Sequence, residues 1–238
     1  MFSKSVLIYT IILLFIVTAC GSKAEKKENP LTIENNEIKD TTQVEEEIKQ
    51  DSTKKEFVLT EDNAIPFFHE YAQNNKENKV KITTRFGSFT IELFDKTPYH
   101  RANFIYLVKK KYFDNTFFHR VVKGFIIQGG NSDNTDTTKK RAKIGSYLLP
   151  PDTKKGYKHH RGIVSVPSSE IDNPHKLASP YEFFIVVQNP GAYHLDGKYT
   201  AFGKVIEGMD VVDKINQQEI DEGEWPLQNI KMTAEIVE

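Results

Sequence analysis

Residues 117–130 constrain the fold more than any other part of this chain. They read Phe117-Phe118-His119-Arg120-Val121-Val122-Lys123-Gly124-Phe125-Ile126-Ile127-Gln128-Gly129-Gly130. The run is aromatic and β-branched, so it predicts two short strands, with Gly124 or the Gly129-Gly130 pair marking a turn or bulge. Side chains alternate between the two faces of a strand. Arg120, Val122, Ile126 and Gln128 all stand at even positions and share one face if the register holds through Gly124. A cation and an amide among apolar neighbours need partners. Two arrangements meet that need. Either Arg120 is a core residue satisfied by carbonyls or a carboxylate while Gln128 bonds within a turn, or both side chains line the floor of a site. His119 is expected on the opposite face, as a hydrogen-bonded structural residue.

Period-two runs recur along the rest of the chain. Val80, Ile82, Thr84 and Phe86 alternate with Lys81, Thr83 and Arg85, and Phe89, Ile91 and Leu93 alternate with Thr90 and Glu92. Gly87-Ser88 between them predicts a hairpin link. Thr97-Pro98 marks a helix start, with Thr as N-cap and Pro in the first turn. Ala102, Ile105 and Val108, with Phe104 and Tyr112, keep a helical period, and Lys109-Lys110-Lys111 suit its C-terminal dipole. Residues 131–161 are polar, with Gly145, Pro150-Pro151 and Gly156, and read as a long loop. Residues 162–166, 183–187 and 199–205 read as strands, and 209–215 as a short helix. Ile230, Met232, Ala234 and Ile236 alternate as a final strand. Many short strands with two or three helices predict a mainly β barrel or sandwich.

The chain of 238 residues has room for one substantial domain and extensions. Lys4 precedes an apolar run at 6–17, shorter than the ~20 residues that span a bilayer, and this fits a signal peptide. It ends in Val17-Thr18-Ala19-Cys20-Gly21, which resembles the lipobox of bacterial lipoproteins. That resemblance implies removal of residues 1–19, lipidation of Cys20 and a domain held outside the cytoplasm in the bacterial cell envelope. Residues 20–56 are too poor in apolar side chains to build a core and read as a tether, with Glu45-Glu46-Glu47 as plain solvation. Residues 57–77 predict a short helix from Asp62 or Asn63, with Pro66 early in it, packed on a domain at 78–238. The net charge of −1 carries no footprint of a nucleic-acid partner. Cys20 is the single cysteine, which excludes an intrachain disulfide or a cysteine-rich zinc site. The seven His are scattered, and His159-His160 are adjacent rather than four apart, so no metal site is expected.

The uninterrupted sequence F-H-R-V-V, then G-F, then Q-G-G resembles the signature of the cyclophilins, the peptidyl-prolyl cis/trans isomerases. Further blocks follow in the family's order: Gly162-Ile163-Val164-Ser165, Glu182-Phe183-Phe184-Ile185, Leu195-Asp196-Gly197-Lys198, Phe202-Gly203-Lys204-Val205 and Glu207-Gly208-Met209. The resemblance implies a closed eight-stranded antiparallel β barrel capped by two helices, acting as a monomer without cofactor on proline-containing polypeptides. It also implies a site at Arg120 and Gln128, with substrate held by Phe125, Ile126, Phe184, Leu195, Tyr199 and Val166. Arg120 would donate to the prolyl nitrogen during rotation. The chain departs from the family's pattern at Ile126 (often Met), Glu182 (Gln), His194 (often Trp) and Tyr199 (often His). It departs again around Pro167-Ser168-Ser169, where Pro167 lacks the N–H that could meet a substrate backbone. A binding module or chaperone without turnover is the alternative that Pro167 and Glu182 favour. A hydrolase pairing His119 with a serine is a third, and no G-x-S-x-G motif supports it.

Overall fold

The alternating runs become strands in the computed structural model, which describes residues 57–168 and 173–238. The expected signal peptide, Cys20 and the tether lie outside the described residues, as does Ser169. Strand β1 (Lys79–Thr84) pairs antiparallel with β2 (Gly87–Leu93), and Val80, Ile82, Thr84, Phe89, Ile91 and Leu93 point into the core. The hairpin forms, but its two-residue link is Arg85-Phe86 rather than Gly87-Ser88, because Thr84 still pairs with Gly87. Thr84 shapes the link: its Oγ1 accepts the Phe86 N–H at 3.1 Å, and Gly87 takes φ +121° at the first paired position.

The other strands are β3 (Phe117–Val122), β4 (Ile126–Asn131), β5 (Ile163–Val166), β6 (Phe183–Val186), β7 (Thr200–Glu207), β8 (Ile230–Lys231) and β9 (Thr233–Val237). They form one antiparallel sheet in the order β8-β3-β4-β6-β5-β7-β2-β1-β9. Its first and last members are halves of one C-terminal run. β8 pairs with β3, β9 pairs with β1, and Met232 between them bonds the backbone of Thr116 and Asn115 at 2.9 and 3.0 Å. The sheet therefore curls until both ends meet one run of chain, which leaves few free edges. The expected barrel is present with nine strands rather than eight, because Met232 hands the last run from one neighbour to the other.

Helix α2 (Pro98–Lys109) starts at Thr97-Pro98 as expected, although the Thr97 hydroxyl bonds back to Phe94 O at 3.2 Å instead of capping. It packs on β7 and β9. It is buried on nearly every face, from His100 to Val108, and not along one stripe only. The reason is α1 (Ala64–Asn74), which covers its outer side. Phe67, Phe68 and Tyr71 place their rings 5.2, 5.8 and 5.5 Å from that of Tyr106. Helix α4 (Met209–Asn216) packs on β2, β3 and β4 through Val211, Val212 and Ile215.

Residues 131–161 are not loop throughout, because α3 spans Thr135–Ile144. Its sequence, Thr-Asp-Thr-Thr-Lys-Lys-Arg-Ala-Lys-Ile, has no apolar stripe, and only Thr137 and Ile144 are buried. Local chemistry holds it instead. Asn134 caps it by accepting the Asp136 N–H at 3.1 Å, Asp136 lies in the first turn, and Arg141 and Lys143 lie in the last.

Alternate residues of the same strands feed two separate apolar clusters. Phe183 and Ile185 of β6 join the barrel interior with Ile127, Val164 and Phe202. Phe184 and Val186 join a second cluster outside it, with Ile126, Ile163, Leu195 and Ala201. This is why β6 reads as an unbroken apolar run: both of its faces are covered.

Candidate active site

The register places the expected residues in rows across the sheet. Arg120 of β3 lies opposite Gln128 of β4, Gln128 opposite Phe184 of β6, and Phe184 opposite Ser165 of β5. The next row is Val122, Ile126 and Val186. Opposed residues on one face stand within side-chain reach. Four residues expected to share a face therefore do so, across a turn at Gly124 with φ +69°.

Strand β4 runs through both later glycines, and the expected bulge lies there: Phe117 pairs with Asn131 and Phe118 with Gly129, which leaves Gly130 unpaired at φ +102°. A Cβ on Gly129 would lie 2.6 Å from Met232 Cε, and one on Gly130 would lie 2.3 Å from Tyr181 O. A second interruption is on the partner strand: the pairing shifts between Phe118 and Arg120, leaving His119 as a bulge. His119 consequently does not face away from the site. Its Nε2 lies 3.5 Å from Glu182 Oε2, and its ring lies 5.8 Å from Trp225. A bulge turns the side chain that strict alternation sends elsewhere.

Glu182 is the electrostatic hub of this edge. Its Oε2 accepts from Gln128 Nε2 at 2.9 Å and its Oε1 from Asn131 Nδ2 at 3.2 Å, with Arg141 3.8 Å away. Burial raises its pKa, but the hydrogen bonds from His119 and Gln128 and the nearby Arg141 outweigh that and hold it below the ordinary value. It is an anion whose oxygens are largely committed, and it fixes the amide of Gln128. Arg120 is tied at one point only among the described residues: Nε donates to Glu224 Oε2 at 2.7 Å. Its terminal amino groups remain available.

The apolar wall is the second cluster. Ile126, Phe184 and Leu195 are buried in it, and Phe125 and Tyr199 pack on its rim. Phe125 sits in the β3–β4 turn, where its backbone oxygen accepts from Val187 N at 2.7 Å, and its ring stacks on His194 at 5.3 Å. Tyr199 meets Phe184 edge-on at 5.7 Å. Val166 differs from the rest: its side chain packs with the barrel interior. Beyond it, Ser179 N donates to Pro167 O at 2.9 Å and Ser168 bridges to Ala178, so this rim is partly occupied by the chain's own backbone.

Behind Phe184 lies an arrangement that motif reading missed. His159 Nδ1 is 2.9 Å from Asp196 Oδ1 and His159 Nε2 is 2.8 Å from Ser165 Oγ. The order carboxylate–imidazole–hydroxyl is that of a hydrolase triad. Ser165 is 0 % exposed, however, and no substrate carbonyl can reach it. Burial lowers the His159 pKa against the pull of Asp196. The imidazole ring lies nearly parallel to Phe184, with centroids 6.3 Å apart. The network thus braces two pieces of the wall: Phe184 directly, and Leu195 through its neighbour Asp196.

Comparison with known proteins agrees with this geometry. The family model described as "Cyclophilin type peptidyl-prolyl cis-trans isomerase/CLD" matches residues 79–236. The chain is 38% identical over 164 residues to peptidyl-prolyl cis-trans isomerase-like 2 of Rhizopus delemar, a match covering 68% of this chain and 29% of that protein. It is 34% identical over 156 residues to peptidyl-prolyl cis-trans isomerase CYP18-2 of Arabidopsis thaliana, covering 65% of this chain and 90% of that one. A crystal structure of a Cryptosporidium parvum cyclophilin type peptidyl-prolyl cis-trans isomerase, determined in the presence of the dipeptide Ala-Pro, superposes with a TM-score of 0.56 at 29% identity. That likeness covers 67% of this chain and 99% of the other. With the barrel, the ordered blocks and the matched span in agreement, the chain belongs to the cyclophilin-type peptidyl-prolyl cis-trans isomerase family.

Proposed function

We propose that this protein catalyses cis/trans isomerisation of X-Pro bonds in polypeptides folding in the bacterial envelope. The observation that carries this reading is the cross-strand row Arg120–Gln128–Phe184 beside the second apolar cluster. Rotation about an X-Pro bond must break amide resonance, a barrier of ~18–20 kcal/mol. In the rotated state the prolyl nitrogen regains a lone pair, and a donor aimed there stabilises only that state. The terminal amino groups of Arg120 supply that donor and stay charged at every physiological pH. Shortening a ~100 s event to ~10 ms requires about 5.5 kcal/mol. One charge-assisted hydrogen bond contributes ~1.5–3 kcal/mol. The remainder comes from holding the proline ring against Phe125, Ile126, Phe184 and Leu195. Gln128, its NH2 committed to Glu182, turns its carbonyl oxygen to a substrate N–H. The Ala-Pro dipeptide of the Cryptosporidium structure supports a proline-containing ligand.

The test is a protease-coupled assay with a proline peptide on the full chain and on Arg120→Ala. Turnover should fall by at least tenfold in the variant, with an unchanged circular dichroism spectrum. Equal activity in the two proteins refutes the role of Arg120. A binding module without turnover is the second reading, favoured by the occupied rim at Pro167 and Ser168. Peptide binding with no acceleration by the parent protein would establish it. The envelope location rests on the lipobox-like segment before Cys20, and Cys20→Ser should move the protein from the membrane to the soluble fraction.

A further inference from the structure

Glu224 is the only acceptor that engages Arg120 among the described residues, and it lies outside every strand and helix. It belongs to a turn between α4 and β8 that is built to aim it. Asp221 Oδ1 accepts the N–H groups of Gly223 and Trp225, both at 2.9 Å, and the Glu224 N–H donates to Asp221 O at 3.1 Å. The Glu224 carbonyl accepts the Val121 N–H at 2.8 Å, which fastens the turn to the strand residue next to Arg120. Glu224 itself has φ +64°, a left-handed conformation that favours glycine. Gly223 stands beside it, yet the residue holding the unfavourable angle is the one with the carboxylate. Strain kept at such a position points to use of the side chain.

The backbone bond to Val121 already secures the turn, so anchoring does not need the carboxylate. The carboxylate meets Nε, the inner edge of the guanidinium, and leaves both terminal amino groups outward. A contact on a terminal nitrogen would have competed with substrate. The contact on Nε instead limits how the fork can rotate. The same turn brings the Trp225 ring 5.8 Å from His119, whose imidazole borders the carboxylate that orients Gln128. One turn thus touches both polar arms of the site. We propose that Glu224 is a positioning residue for catalysis: it holds Arg120 by Nε so that its terminal amino groups face the rotating prolyl nitrogen. This rests on Arg120 being the donor argued above.

The pair is half exposed, 41% for Arg120 and 37% for Glu224, so salt screens it. Exposed ion pairs contribute little, and losing this one should lower kcat by about two- to fivefold. KM should change little, since the interaction serves the rotated state.

The experiment measures kcat and KM on a proline peptide at low and high salt. It compares the parent protein, Glu224→Gln, Glu222→Gln, Arg120→Ala and the double variant Arg120→Ala with Glu224→Gln, with thermal unfolding of each as a check on folding. Glu222→Gln removes the same charge from the same turn, at an exposed residue outside the site. The expected result has four parts. Glu224→Gln loses kcat, Glu222→Gln does not, salt lowers the parent toward Glu224→Gln, and Glu224→Gln has no further effect once Arg120 is alanine. A Glu224→Gln protein as fast as the parent overturns the proposal, as does an equal loss in Glu222→Gln. If Arg120→Ala is fully active, the reading of Arg120 fails and this proposal with it. If Arg120→Ala is inactive and Glu224→Gln is unaltered, only the positioning role fails.

Discussion

Acidification should destabilise this protein well above the carboxylate range, and His100 is the reason. The residue lies on α2 with 1% exposure. Its Nε2 is 3.0 Å from the carbonyl oxygen of Pro150, so the neutral ring donates there. Its Nδ1 is buried and has no hydrogen-bond partner among the described residues. Protonation would add a charge and a second N–H with nothing to accept it. Burial pushes the His100 pKa down to about 4, against smaller upward pulls from the Pro150 carbonyl and Asp152. An unfolded imidazole protonates near ~6.5. Between these values the unfolded state binds more protons than the folded one, so stability falls as pH falls. The whole window is worth about 3 kcal/mol, of which about 2 kcal/mol is gone by about pH 5. His100→Gln keeps an amide able to donate to Pro150 but cannot titrate. Urea unfolding of both proteins, followed by circular dichroism at about pH 7 and pH 5, isolates this share. His159 and Glu182 titrate in both proteins and cancel in the comparison. The parent should lose about 2 kcal/mol more than the variant. Equal losses would refute the assignment.

Two further variants test particular contacts. Glu182→Gln replaces the carboxylate that orients Gln128 by a neutral amide, and kcat/KM should fall about fivefold, the equivalent of ~1 kcal/mol. The same variant should lose less stability below about pH 4.5 than its parent. The parent's lowered Glu182 pKa contributes stability that is present above the unfolded value and lost as pH falls through the folded one. Gly145→Ala would place a Cβ 1.9 Å from Leu59 O, at φ +132°. It should break the Leu59–Gly145 bridge and free the segment leading into α1. Limited proteolysis should then cut near Phe57 and Val58 faster than in the parent, while the barrel stays intact.

The legible and the illegible parts of this protein divide by the range of the forces involved. Strand and helix positions rest on local periodicity, so Val80, Ile82 and Thr84 point inward as read, and α2 begins at Thr97-Pro98. Arg120 and Gln128 share a face by parity because both lie within one hairpin, and Phe184 is tied to them only through its motif. The hairpin link falls at Arg85-Phe86 and not at the Gly87-Ser88 that composition predicts, because Gly87 carries its positive φ inside the ladder. Helix α3 leaves no periodic signal because its stability comes from a cap and charges, and an apolar stripe is what periodicity detects. His119 departs from the face that alternation predicts because a bulge at its own position inverts the pattern, and a bulge depends on the partner strand.

The barrel's set of strands and the residue types of the apolar pocket and its two polar arms are legible in the chain before it folds. Burial of alternating side chains and the geometry of short turns act over a few residues and are written locally. Which acids border those arms emerges with folding. Glu182 lies 54 positions from Gln128, and Glu224 lies 104 from Arg120. Likewise, only folding buried His159 and Ser165 behind Phe184, turning an apparent triad into a brace. Electrostatic partners are chosen by distance in space and by loss of solvent, and neither quantity exists until the sheet closes.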